Sequence, residues 1–140
     1  ILTEKYKKAF EILYKNYINN HYNNCTLVMC DWLSAFNKNI ADIVISNPPY
    51  IKKGSLNIQD SVKDYEPEYA LYSEDNGLYD IKKIIKESRK ALKKDGLLIL
   101  ENGFDQSLAV SEILQDNYFK DIDTILDYNN IKRFTLSRNS

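Results

Sequence analysis

The residues with the most chemistry to offer are Asn47-Pro48-Pro49-Tyr50, directly after the apolar run Ile43-Val44-Ile45. A side-chain amide oxygen and a proline carbonyl are both acceptors. Set into one small space, they can accept both N–H bonds of a planar NH2 group. The Tyr50 ring can lie flat against that group, and a methyl donor on the opposite side would face the nitrogen lone pair. The bland alternative is a proline-terminated strand whose Asn47 caps a turn. Asn-Pro alone favours that alternative. A hydrophobic strand running straight into all four residues favours the chemistry.

Something must hold this tetrapeptide in place. Asp42 to Ile45 is mostly β-branched and apolar and reads as a buried strand. It has to stop at Asn47, because Pro48 and Pro49 cannot donate backbone hydrogen bonds and each pushes the preceding residue out of helical geometry. Asn47 therefore falls at the carboxyl end of a parallel-type strand, where open α/β sheets bind ligands.

Upstream, Ile1 to Thr3 reads as the tail of a strand that ends at Glu4. Lys5 to Asn20 follows as an amphipathic helix with Tyr6, Phe10, Leu13 and Tyr17 on one face. Asn19 to Asn24 is a turn, Thr26 to Cys30 a short strand, and Asp31 to Ser34 a loop. Downstream, Ile51 to Glu74 is long and irregular and leaves the site directly, so it reads as a substrate-facing flap. Asn76 to Lys94 is expected to be a helix with Leu78, Ile81, Ile85 and Leu92 inward and Gly96 at its C′ position. Leu97 to Leu100 reads as a second fully buried strand, and Asp105 as the cap of a helix reaching about Asp116. Tyr118 to Leu126 and Arg133 to Ser137 are strands around a turn at Tyr128-Asn129-Asn130. The alternation predicts an α/β sheet, parallel at first and closed by an antiparallel pair.

Composition narrows the classes. One domain is the limit for 140 residues, and 44% hydrophobic residues with 28% charged ones describe a globular chain. The net charge of −1 gives no sign of the basic face that a dedicated DNA-binding domain carries. Cys25 and Cys30 match neither a redox pair nor a zinc half-site, and His21 alone cannot build a metal site. The thiols read as buried, the imidazole as a surface group, and the default compartment as a reducing cytosol.

Asn-Pro-Pro-Tyr resembles the motif of the S-adenosylmethionine-dependent amino-methyltransferases, which modify adenine in DNA, guanine in RNA or glutamine in proteins. Further segments narrow the likeness: Asp31-Trp32-Leu33, Tyr65-Glu66-Pro67 with Ala70-Leu71, Asp75-Asn76-Gly77-Leu78, Glu101-Asn102-Gly103 with Gln106, and Asp127 with Arg133. In this order they resemble the protein-glutamine N5-methyltransferases. The nearest pattern is that of the family that methylates the glutamine of the Gly-Gly-Gln loop in peptide chain release factors. The resemblance covers essentially all 140 residues. It implies a Rossmann-like methyltransferase fold ending in a hairpin, S-adenosylmethionine as cofactor, a release factor as partner, and a cytoplasmic protein. It also implies roles. Asn47 and the Pro48 carbonyl would hold the glutamine NH2, with Pro49 and Tyr50 completing the substrate site. Trp32 would stack near the adenine, Glu4 would hold the ribose hydroxyls, and Asn47 would also touch the cofactor. Without the family pattern, Trp32 reads equally as a core tryptophan with its N–H paired, and Glu4 as a helix-start carboxylate favoured by the macrodipole. Glu66 and Glu101 receive no role, and Lys52 and Lys53 read as solvated.

Ribosomal-protein glutamine methyltransferases share several of these segments and form the nearest alternative; DNA adenine methylation is a further one. A third alternative, of another class, is a non-catalytic remnant or interaction fragment. The pattern departs from the family in one respect. The four glycines, Gly54, Gly77, Gly96 and Gly103, form no Gly-x-Gly-x-Gly cofactor loop. By the resemblance, the chain corresponds to the C-terminal two-thirds of the methyltransferase domain, with residue 1 inside the second strand. The first strand, central in that fold, is then expected upstream. Without it, parallel strands expose their edges, so these residues alone are predicted to be inactive and poorly stable.

Overall fold

The computed structural model describes residues 1–55 and 65–140. Strand β1 (Leu2–Glu4) pairs in parallel with β2 (Leu27–Met29), and helix α1 (Lys7–Asn19) connects them. After β3 (Ala41–Ser46) come the two-residue strands β4 (Ile51–Lys52) and β5 (Tyr72–Ser73), which pair in parallel with each other. Helix α2 (Tyr79–Ala91) runs into β6 (Leu92–Glu101), and helix α3 (Ser107–Asp116) leads on to β7 (Phe119–Leu126) and β8 (Lys132–Asn139). The main sheet has the order β3-β6-β8-β7. Its β3–β6 pair is parallel and the other two pairs are antiparallel. The expected α/β class and closing hairpin are therefore present. At the hairpin turn, Asp127 Oδ1 accepts from Asn129 N at 2.8 Å and Ile131 N at 2.9 Å.

The parallel part is not one continuous sheet. Among the described residues, β1–β2 and β3–β6 belong to separate sheets. A cleft of about 400 Å³ lies between them, with Ile1 and Thr3 on one side and Ala41 to Ser46 on the other. Nor is β3 buried throughout. Val44 is 8% exposed, but Ile43 is 55% and Ile45 72% exposed. The register explains this. Val44 aligns with Leu98, while Ile43 and Ile45 align with Leu97 and Ile99, and successive strand residues point to opposite faces. Val44, Leu98 and Leu100 pack with Ile81, Ile84 and Ile85 of α2 and with Val110 and Leu114 of α3. The opposite face is open at Ile43 and Ile45, and Leu97 and Ile99 are only half-buried, which corrects the reading of two fully buried strands. Helix α1 keeps its amphipathic face, with Phe10, Leu13 and Tyr17 half-buried, but none of its residues is buried. The two thiols are half-buried rather than buried.

Three local expectations also change. The helix predicted over Asn76–Lys94 spans Tyr79–Ala91. Asp75 (φ 53), Asn76 (φ 55) and Gly77 (φ 86) instead form a run of left-handed residues, a backbone that Asp, Asn and Gly tolerate best. Gly96 is not a helix C′ residue but lies within β6, while Asp95 takes the positive φ of 61°. Asp105 does not cap α3. The cap position is Gln106, whose side chain is used elsewhere, as described below.

Buried polar groups lock the end of β6. Asn102 Nδ2 donates to Gly103 O at 2.9 Å and to Ser107 Oγ at 3.2 Å, and Thr135 Oγ1 donates to Asn102 Oδ1 at 2.8 Å. Asn102 and Thr135 are both fully buried. Asn102→Ala would strand the Thr135 hydroxyl. We expect it to lower stability by about 2–3 kcal/mol, read as a shifted urea midpoint with an unchanged m-value.

Candidate active site

Strand β3 ends at Ser46, where the prolines require it to. Asn47 follows as an exposed residue, Pro48 and Pro49 are buried, Tyr50 is half-buried, and Ile51 opens β4. Two cavities meet at this tetrapeptide. One, of about 790 Å³, has Glu4, Trp32, Asn47 and Pro49 in its wall. The other, of about 1190 Å³, is walled by Asn47, Pro48, Pro49 and Tyr50, with Glu66, Gln106 and Arg133. Asn47 and Pro49 thus stand in the partition between the two, together with Ala70. The three residues expected to hold a cofactor line the first cavity, and the four expected to hold a substrate line the second.

The partition is braced from outside. Gln106 Nε2 donates to Tyr50 O at 3.1 Å and to Asn76 O at 3.3 Å, while its Oε1 accepts from Gly103 N at 2.9 Å. Gly77 packs so closely that a Cβ there would lie 2.1 Å from Tyr50 O. The Tyr50 hydroxyl donates to Glu101 Oε1 at 3.1 Å, which supplies the role that the sequence left open for Glu101. Burial, then the Glu101 charge and hydrogen bond, push the Tyr50 phenol above its ordinary 10.0, against the pull of Arg133. A raised acid pKa means that the native state holds the proton longer than the unfolded chain does. The stabilisation is therefore complete below about pH 10 and is lost as pH climbs through the native value. Tyr50→Phe lacks this contribution, so the stability difference between wild type and Tyr50→Phe should shrink above pH 10 in parallel denaturant titrations.

In the first cavity, Tyr6 N donates to Glu4 Oε1 at 2.7 Å, just ahead of α1. Glu4 thus serves the helix start and the cavity wall together. Trp32 has an unusual left-handed backbone (φ 53), and its Nε1 donates to Asp80 Oδ1 at 3.0 Å. Asp31, beside it in the wall, pairs with Lys5 at 3.3 Å and with Lys83. Burial pushes the Asp31 carboxyl up, but the hydrogen bonds and charges of the two lysines outweigh this and hold it below the ordinary 3.8. Sequence reasoning gave Asp31 and Asp80 no role of their own, although Asp31 stands in the Asp31-Trp32-Leu33 segment that carries part of the family resemblance.

The expected flap is only partly within view, because residues 56–64 of it lie outside the described residues. Its described parts include ordered elements within otherwise irregular chain: the β4–β5 pair and a helical turn at Glu68–Leu71. Glu68, Tyr69, Tyr72 and Ser73 face the first cavity, and Glu66 and Leu71 face the second. The Tyr69 ring lies 3.9 Å from that of Tyr6. Lys53, paired loosely with Glu74 at 3.9 Å, is exposed, as is Lys52. Among the described residues there is no cluster of three or more His, Cys, Asp or Glu suited to a metal ion. No described helix is long and apolar enough to cross a membrane.

The first cavity fits S-adenosylmethionine in size and chemistry. Its volume is in the range of small-ligand sites, its carboxylates can accept hydroxyl hydrogen bonds, and an indole offers a flat base a surface. No established family profile matches the chain. Individual proteins do. A release factor glutamine methyltransferase from Francisella tularensis subsp. tularensis is 36% identical over 135 residues, which are 96% of this chain and 48% of that protein. One from Escherichia coli (strain K12) is 33% identical over 138 residues, 99% of this chain and 50% of that protein. The chain resembles release factor glutamine methyltransferases across nearly its whole length. It spans about half the length of these relatives. The fold matches a crystal structure of a methyltransferase from Pyrococcus furiosus, with a TM-score of 0.71 at 16% identity, over 99% of this chain and 61% of that one. It also matches TYW2 of M. jannaschii, solved in complex with AdoMet, with a TM-score of 0.56 at 16% identity, over 97% of this chain and 54% of that one. The fold is thus that of the S-adenosylmethionine-dependent methyltransferases.

Proposed function

We propose that this site takes part in methyl transfer from S-adenosylmethionine to the side-chain amide nitrogen of a protein glutamine, that of the Gly-Gly-Gln loop of a peptide chain release factor, in the cytoplasm. The observation that carries the reading is the partition. Asn47 and Pro49 border a cavity with Glu4 and Trp32 on one side and a cavity with Pro48 and Tyr50 on the other. The names of the relatives support the glutamine substrate and the release factor.

Bound in the first cavity, the cofactor would supply an electrophilic methyl on a sulfonium. The chain's part is to bind and orient. Glu4 would accept from ribose hydroxyls and Trp32 would pack on the adenine. Asn47 and the Pro48 carbonyl accept the two N–H bonds of the glutamine amide and turn its lone pair toward the partition. Tyr50, tied to Glu101, packs against the amide. Transfer would form a C–N bond at the amide nitrogen as the S–CH3 bond breaks with its electron pair left on sulfur, and one amide proton would leave to water. An amide is a weak nucleophile, so orientation matters; it can remove roughly 7–11 kcal/mol of barrier in favourable cases. The two acceptors also meet the positive charge that grows on nitrogen, an interaction strongest in the transition state.

The test is transfer of labelled methyl from S-adenosylmethionine to a release factor. It uses residues 1–140, a longer protein that carries them, and a target whose loop glutamine is alanine. Label that requires the glutamine supports the proposal. Label on the alanine target, or none with the longer protein, overturns it.

A further inference from the structure

Helix α2 carries Asp80, Lys83 and Glu87 at intervals of three and four, which is one face of a helix. These side chains reach three consecutive residues of the loop after β2. Lys83 donates to Asp31, Asp80 Oδ1 accepts from Trp32 Nε1 at 3.0 Å, and Glu87 Oε2 accepts from Leu33 N at 2.8 Å. The middle residue, Trp32, has φ 53, a conformation that is strained for a bulky side chain and persists only where the surroundings over-determine it. Here the indole and both neighbours are held by one helix. The other oxygen of Asp80 accepts from Ser73 Oγ at 2.6 Å, and Asp80 N donates back to Ser73 Oγ at 3.1 Å. Ser73 is 3% exposed and lies in β5, which pairs with β4, and β4 continues directly from Tyr50. One carboxylate therefore joins the indole wall of the first cavity to the strand pair that leaves the second.

We propose that Asp80 is a positioning residue: it sets the Trp32 indole in the wall of the first cavity and couples it, through Ser73 and the β5–β4 pair, to the Asn47–Tyr50 segment, while Lys83 and Glu87 hold the residues on either side. Its consequence for ligand affinity rests on the reading of that cavity as the S-adenosylmethionine site; its consequence for the indole does not.

Trp32 is the single tryptophan of these 140 residues, so their tryptophan emission reports on its surroundings. The experiment records emission and acrylamide quenching of Trp32, and titrates S-adenosylhomocysteine, in wild type, Asp80→Ala, Asp80→Asn and Ser73→Ala. Asp80→Ala is expected to raise quenching and weaken S-adenosylhomocysteine about tenfold, the effect of losing one hydrogen bond to a charged group. Asp80→Asn keeps an acceptor oxygen for the indole N–H and should recover most of both signals. An Asp80→Ala protein with wild-type quenching and affinity overturns the proposal, whatever its melting temperature. If Asp80→Ala does not fold, Ser73→Ala decides: it frees one side of the carboxylate and should give an intermediate rise in quenching, and no rise overturns the proposal. If a longer protein that carries these residues does not bind S-adenosylhomocysteine either, the cofactor reading fails, and emission and quenching alone judge the role of Asp80.

Discussion

Asn47→Ala is expected to reduce methyl transfer by about 10²–10³-fold, the usual loss when one preorganised group that meets transition-state charge is removed. The fold should survive the change. Asn47 is exposed, and its side chain makes no hydrogen bond within the described residues. The position of Asn47 in the partition between the cavities is what makes the expected loss so large. Asn47→Asp keeps an acceptor oxygen at the same reach and should retain more activity than the alanine variant. The decisive measurement is single-turnover transfer to a release factor at saturating cofactor, with thermal melting alongside. An alanine variant within a few-fold of wild type would remove Asn47 from the chemistry and, with it, the reason for placing the reaction at this partition.

Gly77→Ala should be the most damaging of the four glycine-to-alanine changes. The residue has φ +86, and an added Cβ would stand 2.1 Å from Tyr50 O and 2.8 Å from Gln106 Nε2. Neither neighbour is free to yield. The Tyr50 carbonyl belongs to the proline-stiffened turn, and Gln106 is already tied to Tyr50, Asn76 and Gly103. Backbone strain and overpacking together are expected to cost about 3–5 kcal/mol. Methyl transfer should fall with stability, because the displaced group is the backbone of the site itself. Gly54→Ala is the internal control. Gly54 has a similar φ of +82, but nothing lies within 4 Å of its Cβ position. Only the backbone contribution remains there, about 1–2 kcal/mol. Urea midpoints for the two variants separate strain from collision; equal losses would mean that the contact at Gly77 carries no weight.

The local and periodic features of the chain could be read directly from the order of its residues. Two prolines must end a strand wherever the sheet lies, so the position of Asn47 at the end of β3 was legible. The amphipathic faces of α1 and α2 and the hairpin turn around Asp127 were legible for the same reason, since each depends on residues close together in the chain. The Asn-Pro-Pro-Tyr group was visible because it is contiguous. Glu4 and Trp32 came into view only through the family pattern, as their types alone also suit a helix start and a core residue.

The remaining features depend on packing between segments distant in the chain. Helix boundaries moved because Asp75, Asn76 and Gly77 turn left-handed against the Tyr50 carbonyl, and because Leu92 aligns with Ala41 in the sheet instead of extending α2. The burial of β3 split between its faces because helices α2 and α3 pack on the Val44 side while Ile43 and Ile45 stay open. The contacts that brace the site join residues far apart in sequence. Trp32 to Asp80, Leu33 to Glu87 and Tyr50 to Glu101 span 48, 54 and 51 residues. No periodicity or spacing encodes such pairs. A carboxylate on a helix or at a strand end reads as a solvated charge until folding lays an indole or a phenol against it.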